Sequence, residues 1–426
     1  MKPSVLFISY YYDPYILAGT RNYYLSNMLA AQGYELHVIS RENPHIDSFI
    51  KSKSIQFYPV KRWDYRRIFK LLGFRDGITS SLIKSQQFIR WGHRLALTYP
   101  FNYLLGEGGW FYHVQAIKMA ADLIQRKKIK IIYSSFMPLN DHLIAGKLKA
   151  MNKELYWIGD FRDLIWWQTD NRNYQKKWIR NMIHSMDAMT AVTMGIGSFY
   201  KNVYHRDIVT VYNGLPNEKA TIQTSGYLEN KFRINYSGRI FVEFIKNNSF
   251  FESLNELIHE NLEFKQDLIV VYSGVNKNWF KEKIVHFGLG LNTLLKDQIN
   301  TKDAWNDMVN ASINLIFTWT TNEIQGFIHG KFNECVLIGN PLLCLIDGEM
   351  DLELQDIYSS IPNSIVLGNN TNSKNEIKNY ILDIYSTWKQ VNGNPNYSIN
   401  EHVRKLYSWE VKAKPFIQII ENVPVI

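Results

Sequence analysis

Short apolar runs alternate with helical patterns along this chain, and the alternation starts twice. In the first half the runs fall at residues 5–9, 35–40, 129–133, 155–159, 188–193 and 208–212. The first is continuously apolar, as a strand must be when both faces of a parallel sheet are covered. Helical patterns lie between the runs, among them 113–126 and 142–151. Near the start, Thr20 reads as a helix N-cap, Leu25, Met28 and Leu29 form one apolar helical face, and Gly33 stands where a C-cap belongs. Strand and helix in strict alternation predict parallel strands joined by right-handed crossovers.

Tyr212-Asn213-Gly214 closes this half with a turn signal, and a polar stretch runs on to about residue 230. The alternation then restarts with strands at 233–237, 268–272, 313–317 and 342–346 and helices at 249–259, 304–309 and 331–337. At 426 residues the chain exceeds one ordinary core. The expected organisation is α/β, with one doubly wound Rossmann-like domain over 1–214 and a second over 215–395. A helical tail over 396–426, set off by Gly393 and Pro395, is free to pack back on the first domain. In such sheets ligands sit outside the carboxyl ends of the strands, so two of them facing each other make a cleft.

The apolar run at 5–8 is too short for a signal-peptide core, and no stretch approaches the roughly 18 apolar residues of a membrane span. The only cysteines, Cys335 and Cys344, lie in apolar stretches, which fits a reducing cytosol and neither a disulfide framework nor a zinc site. The expected location is therefore cytoplasmic. Charge is uneven. Residues 61–94 hold nine Lys or Arg against Asp64 and Asp76, so seven of the nine net positive charges fall there. They are interleaved with Trp63, Tyr65, Phe69, Phe74, Phe88 and Trp91, a mixture suited to an anionic membrane surface or to a solvated insertion whose rings pack on the core. No nucleic-acid-binding motif accompanies the charge.

Five blocks carry chemistry. In the first, 6–10 is followed by Gly19-Thr20-Arg21, where glycine lets the backbone approach a ligand and a helix start holds an anion, or where glycine serves an ordinary turn. The second runs from 131–135 to Pro138 and His142, a histidine in the first turn of a helix. The third is Gly159-Asp160-Phe161-Arg162-Asp163, with Trp166 after it; its charges either pair with one another or bind sugar hydroxyls. The fourth is Tyr236-Ser237-Gly238-Arg239, with Lys246 seven residues beyond the arginine. The fifth runs from Gly326 through His329, Gly330 and Lys331 to Glu334, then Gly339-Asn340-Pro341. There a glycine loop enters a helix with free N–H groups, Lys331 adds a cation, and Glu334 can accept two ribose hydroxyls; a plain amphipathic helix is the alternative. Asp347-Gly348-Glu349, after the run at 342–346, reads as a solvated acidic loop rather than a metal motif.

These blocks, in this order over residues 4–350, resemble glycosyltransferase family 4, and within it the branch that builds bacterial surface polysaccharides. The resemblance implies the GT-B fold, retention of anomeric configuration, and transfer of a hexosyl or N-acetylhexosaminyl group from a nucleotide-sugar donor to a glycan or lipid-linked acceptor. It implies donor contacts from Gly19, Arg239, Gly330, Lys331 and Glu334, an acceptor side of Asp160, Arg162 and Asp163, and catalytic roles for Arg239, Lys246, Asp163 and His142. No metal and no cofactor is implied, because fixed cations replace a metal at the leaving diphosphate. Gly326 stands where many members carry a first Glu, and Asn247 where many carry Gly. A non-catalytic nucleotide-binding relative and a sugar-nucleotide epimerase on the same fold are the alternatives.

Overall fold

The computed structural model describes residues 2–14, 17–50, 52–61, 108–165, 177–215, 231–321, 323–395 and 397–424. Of the basic aromatic segment 61–94, all but Lys61 lies outside the described residues, as does Trp166. The chain divides into two compact units, Met1–Gly214 with Trp409–Ile426, and Leu215–Ser408.

The first unit is a parallel sheet of seven strands: β1 Ser4–Ile8, β2 Glu35–Arg41, β3 Ile55–Val60, β4 Ile131–Phe136, β5 Tyr156–Phe161, β6 Ala188–Ala191 and β7 Val209–Thr210. Their order is β3-β2-β1-β4-β5-β6-β7, so successive strands run outward in both directions from the gap between β1 and β4. The apolar run of β1 puts it at that centre, with Leu6 opposite His37 of β2 and Ile132 of β4. The helix Leu17–Ala31 starts three residues before Thr20, whose hydroxyl instead donates to Pro14 O at 3.3 Å. Gly33, at φ +87°, follows the end of that helix. β3 went unread because its sequence, IQFYPV, alternates and contains a proline; as an edge strand it tolerates both.

The second unit is a parallel sheet of six strands: β8 Phe232–Ser237, β9 Leu268–Ser273, β10 Thr293–Lys296, β11 Ile313–Trp319, β12 Leu342–Asp347 and β13 Ser364–Gly368, in the order β10-β9-β8-β11-β12-β13. Its gap lies between β8 and β11. The two strands that sequence patterning missed here, β10 and β13, are again the edges, where a half-covered strand needs no continuous apolar run.

The expected tail, 396–426, is not one piece. Val403 and Tyr407 are buried in the core of the second unit beside Phe332 and Tyr358. The chain there passes so close to Gly339 that a Cβ would meet Ile399 N at 2.5 Å. From Trp409 onward the buried residues are Trp409, Ala413, Phe416 and Ile420, an apolar stripe at helical spacing that joins the core of the first unit. Trp409 stacks on Tyr24 with ring centroids 5.1 Å apart, and Phe416 meets Tyr133 edge-on at 5.2 Å. Two apolar sets, one on each side of Ser408, therefore split the tail between the units.

Candidate functional site

The place where strand order reverses leaves a crevice at the carboxyl ends of the two central strands. In the second unit these are β8 and β11. β8 ends in Ser237 and turns at Gly238, whose φ of +145° suits a residue without a side chain. The turn is fixed from several sides. Gly238 N–H donates to Ser273 O at 2.8 Å, Ile240 N–H to Asn276 Oδ1 at 3.1 Å, and the Tyr236 hydroxyl to Arg239 O at 2.8 Å. A Cβ on Gly274 would lie 2.0 Å from Gly238 O, so the β9 turn can press against this one only because Gly274 has none. The Arg239 side chain is exposed, its guanidinium 5.1 Å from the centre of the Phe241 ring.

From β11 the chain loops back to the helix Phe332–Ile338. Thr318 Oγ1 donates to Phe327 O at 3.0 Å, and Gly326 N–H donates to the buried Asp351 carboxylate. His329 then stands between the two loops. Its Nδ1 accepts from Lys331 N–H at 3.2 Å, and its Nε2 lies 3.4 Å from Arg239 O. Burial pushes the His329 pKa down to about 4; the hydrogen bond to Arg239 O opposes this and the Lys331 cation adds to it. The ring is therefore neutral near pH 7, and the tautomer with the proton on Nε2 satisfies both contacts. Lys331 Nζ and Glu334 Oε2 are 2.6 Å apart, with side chains 25% and 29% exposed, so both remain open to exchange partners for a ligand. A small pocket beside the loop is lined by Asn235, Ser237, His329 and Lys331 together with the apolar Met308, Ile316 and Cys335. The structure thus brings the backbone of the Arg239 turn, through His329, to the loop that carries Gly330, Lys331 and Glu334. The sequence motif contained His329, but nothing in the sequence marked it as the residue between them.

Lys246 is placed differently. Its backbone N–H, with that of Asn247, donates to Asp347 Oδ2 at 3.0 and 2.9 Å, which anchors this loop at the end of β12. The Lys246 side chain is exposed. Asp347 is buried and also accepts from Asn247 Nδ2 and Asn369 Nδ2, so the reading of a solvated acidic loop is corrected at this residue, while Gly348 and Glu349 are exposed as that reading expects. Among the described residues no group of three or more His, Cys, Asp or Glu could hold a metal ion.

In the first unit the central strands are β1 and β4. Gly19 lies where a Cβ would meet Asp13 N at 2.5 Å, so glycine serves a close approach of loop and helix. Arg162 donates from Nε to Phe136 O and from Nη2 to Met137 O, each at 2.7 Å, and from Nη1 to Ala18 O. It thereby ties the turn after β4 to the helix that follows β1. Asp163 is half-buried; burial pushes its carboxyl up to about 6, against the pull of Arg162.

Two expectations for this unit are corrected. Asp160 does not pair with Arg162 or reach an acceptor. It is fully buried and accepts from Arg21, Tyr133, Ser135 and Thr190, while Arg21 also donates to Val211 O and Asn213 Oδ1. Burial alone would raise the Asp160 pKa; Arg21 beside it, with the hydrogen bonds from Arg21 and Thr190, holds it below the usual carboxylate value. His142 is likewise fully buried, among Phe136, Trp157 and Phe161, with Nδ1 2.7 Å from Ser134 Oγ. Burial pushes its pKa down to about 3, so it is a neutral core residue. A carboxylate that sequence reading missed, Asp141, accepts from Tyr10 N–H at 2.8 Å and the Tyr112 hydroxyl at 3.1 Å, and its burial raises its pKa well above the usual value.

Two parallel Rossmann-like sheets in tandem, of seven and six strands, each with the crevice of a doubly wound fold, decide the architecture. The fold is GT-B. No family model matches the chain and no curated protein matches its sequence. Solved GT-B structures do match in shape along nearly the whole length. A UDP-forming trehalose-phosphate synthase from Burkholderia xenovorans superposes with a TM-score of 0.60 at 8% identity, over 100% of both chains. A sucrose-phosphate synthase from Thermosynechococcus elongatus gives 0.56 at 11%, over 99% of this chain and 98% of that one. A structure assigned as a UDP-N-acetylglucosamine 2-epimerase, from Listeria monocytogenes, gives 0.53 at 12%, over 99% and 96%. At these identities the likeness is one of fold.

Proposed function

We propose that this chain is a metal-independent, retaining glycosyltransferase whose second unit binds a nucleotide-sugar donor. One observation carries the reading: the Gly238-Arg239 turn and the Gly330-Lys331 loop converge on one strand-order reversal, joined through His329. Cations fixed there stabilise the charge that develops on a departing nucleoside diphosphate. Arg239 and Lys331 face the phosphates, Glu334 turns from Lys331 to the ribose hydroxyls, and Lys246 adds a further cation. In the retaining reaction no side chain is the nucleophile. The bond from the anomeric carbon to phosphate oxygen breaks, the acceptor oxygen bonds to the same face, and the acceptor proton passes to the leaving phosphate oxygen.

On the first unit, Arg162 and Asp163 lie toward the acceptor, a glycan or lipid-linked sugar used in surface polysaccharide synthesis. The site of action is cytoplasmic, with residues 61–94 meeting an anionic membrane surface on the strength of their sequence charge. Among the described residues no helix is long and apolar enough to cross a membrane.

A second reading, a sugar-nucleotide epimerase, draws on the Listeria monocytogenes structure of the same fold. Thermal melts with UDP, GDP, ADP and dTDP select the base, because a ligand of the native state raises the midpoint by mass action. Incubation of the matching nucleotide-sugar with acceptor should then release nucleoside diphosphate. Conversion of the sugar without release would favour the epimerase, and stabilisation without any turnover would favour a binding protein.

A further inference from the structure

We propose that His329 is a positioning residue that sets the separation of the Arg239 turn and the Lys331 loop, so that the two cations meet one diphosphate together. The proposal rests on the nucleotide-binding reading above and adds a residue to it. Each ring nitrogen addresses a different loop. Nδ1 takes the Lys331 N–H at 3.2 Å, and Nε2 lies 3.4 Å from Arg239 O and 3.5 Å from the Tyr236 hydroxyl. The Tyr236 ring meets the imidazole edge-on, with centroids 6.1 Å apart. The ring lies over Gly238, whose φ of +145° suits glycine, with Cε1 3.5 Å from where a Cβ would stand.

The link is between backbones rather than side chains. Arg239 O and Lys331 N belong to the two segments whose side chains carry the charge, the Lys331 ammonium held by Glu334 and the Arg239 guanidinium beside the Phe241 ring. A spacer of this kind acts through geometry. Two cations held at the right distance bind a diphosphate better than the same two on independent loops, because their ordering is completed before the ligand arrives. A neutral imidazole suits the task, since a third cation at this point would leave Nδ1 unable to accept from Lys331.

Three variants separate the contacts. His329→Ala removes both. His329→Asn keeps an acceptor near the Nδ1 position without reach to Arg239 O, and His329→Gln keeps a donor near the Nε2 position. Hydrogen exchange on the unliganded full chain reads the link directly. In His329→Ala the amides of Lys331 and of Gly238 and Ile240 should exchange faster together, while β8 and β11 keep their protection. Calorimetry with the nucleoside diphosphate that stabilises the native chain should show affinity about two- to tenfold weaker, the scale of one lost neutral hydrogen bond. His329→Gln should recover more of it than His329→Asn. In the His329→Ala background, Arg239→Ala and Lys331→Ala should no longer be coupled in their effects on affinity.

Faster exchange confined to Lys331, or unaltered coupling of Arg239 and Lys331 in His329→Ala, overturns the proposal. Joint loosening of both loops in a chain that binds none of the four nucleoside diphosphates supports the link and overturns the nucleotide reading instead.

Discussion

Arg21 Nη2 lies 2.8 Å from Asp160 Oδ1, and the two side chains are 1% and 0% exposed. The pair links the helix Leu17–Ala31 to β5, while Tyr133, Ser135 and Thr190 complete the carboxylate. A buried pair of this kind is sensitive to the loss of one partner, because the other charge is left in a low-dielectric interior. Asp160→Ala is expected to cost about 3–5 kcal/mol of stability. Denaturant titration followed by circular dichroism checks it; a loss below about 1 kcal/mol would show that water reaches the site.

The pair Lys331 and Glu334 has the opposite character. Both side chains are partly open to solvent, and such pairs contribute at most about 1 kcal/mol to folding. Glu334→Ala should therefore leave the melting behaviour nearly unchanged, yet weaken nucleotide binding by roughly 1–3 kcal/mol, the scale of a charge-assisted hydrogen bond. Calorimetry on Glu334→Ala and Arg239→Ala decides the matter. Unchanged affinity in both would remove the assignment of this site.

Gly274 and Gly290 make a matched test of the backbone contact behind Arg239. A Cβ at Gly274 would lie 2.0 Å from Gly238 O, whereas one at Gly290 would meet nothing within 4 Å. Gly274→Ala is expected to destabilise by about 1–3 kcal/mol through overpacking and to weaken nucleotide binding by displacing the Arg239 turn. Gly290→Ala should be neutral or slightly stabilising, since it restricts the unfolded chain at no native cost. Equal effects of the two substitutions would contradict this packing.

Histidine 142 gives the first unit an acid-sensitive element. Its pKa is about 3 in the fold, against about 6.5 in an unfolded chain. Between those values the unfolded state carries the extra proton, so this residue's contribution falls as pH drops from about 6.5 toward 3, by at most about 1.4 kcal/mol per pH unit. Asp163, raised to about 6, contributes with the opposite sign between about 4 and 6. The difference between native protein and His142→Gln isolates the histidine. The variant should be less stable at pH 7 but should lose stability more gradually on acidification; parallel curves would show that His142 takes up its proton as readily in the fold as in the unfolded chain.

Metal independence is expected because Arg239 and Lys331 are protein-borne cations. Turnover should persist in excess EDTA. Complete loss in EDTA with recovery in magnesium or manganese would require a metal at the diphosphate, and an inverted anomer by NMR would remove the retaining mechanism.

The order of elements, the boundary at Gly214, the parallel character of both sheets and the loop-to-helix block at Gly330-Lys331-Glu334 were legible in the sequence. These features have local causes: apolar runs with a period set by the strand or helix that contains them, and glycines where the chain must turn. The edge strands Ile55–Val60, Thr293–Lys296 and Ser364–Gly368 were not legible, because half-covered strands carry no distinctive apolar run. The tail misread at Ser408 shows the same limit: each half is amphipathic, and the sequence does not name the surface that each stripe covers.

Partnerships were decided only in three dimensions. Asp160 stands two residues from Arg162 in sequence, yet its cation is Arg21, 139 residues away, because the first helix brings Arg21 against the Asp160 side of β5. His142 looked like a ligand contact at a helix start, and burial made it a core residue. His329 looked like one position in a loop, and the return of the chain from β11 brought it within reach of Arg239 O, 90 residues back. The sequence by itself determined which segments become the central strands and the helices that follow them, and which residues carry charge at their ends. The tertiary structure decided which of those charges are satisfied inside the core and which remain at the strand-order reversal, because burial and hydrogen-bond partners depend on contacts that the chain makes only once both sheets are assembled.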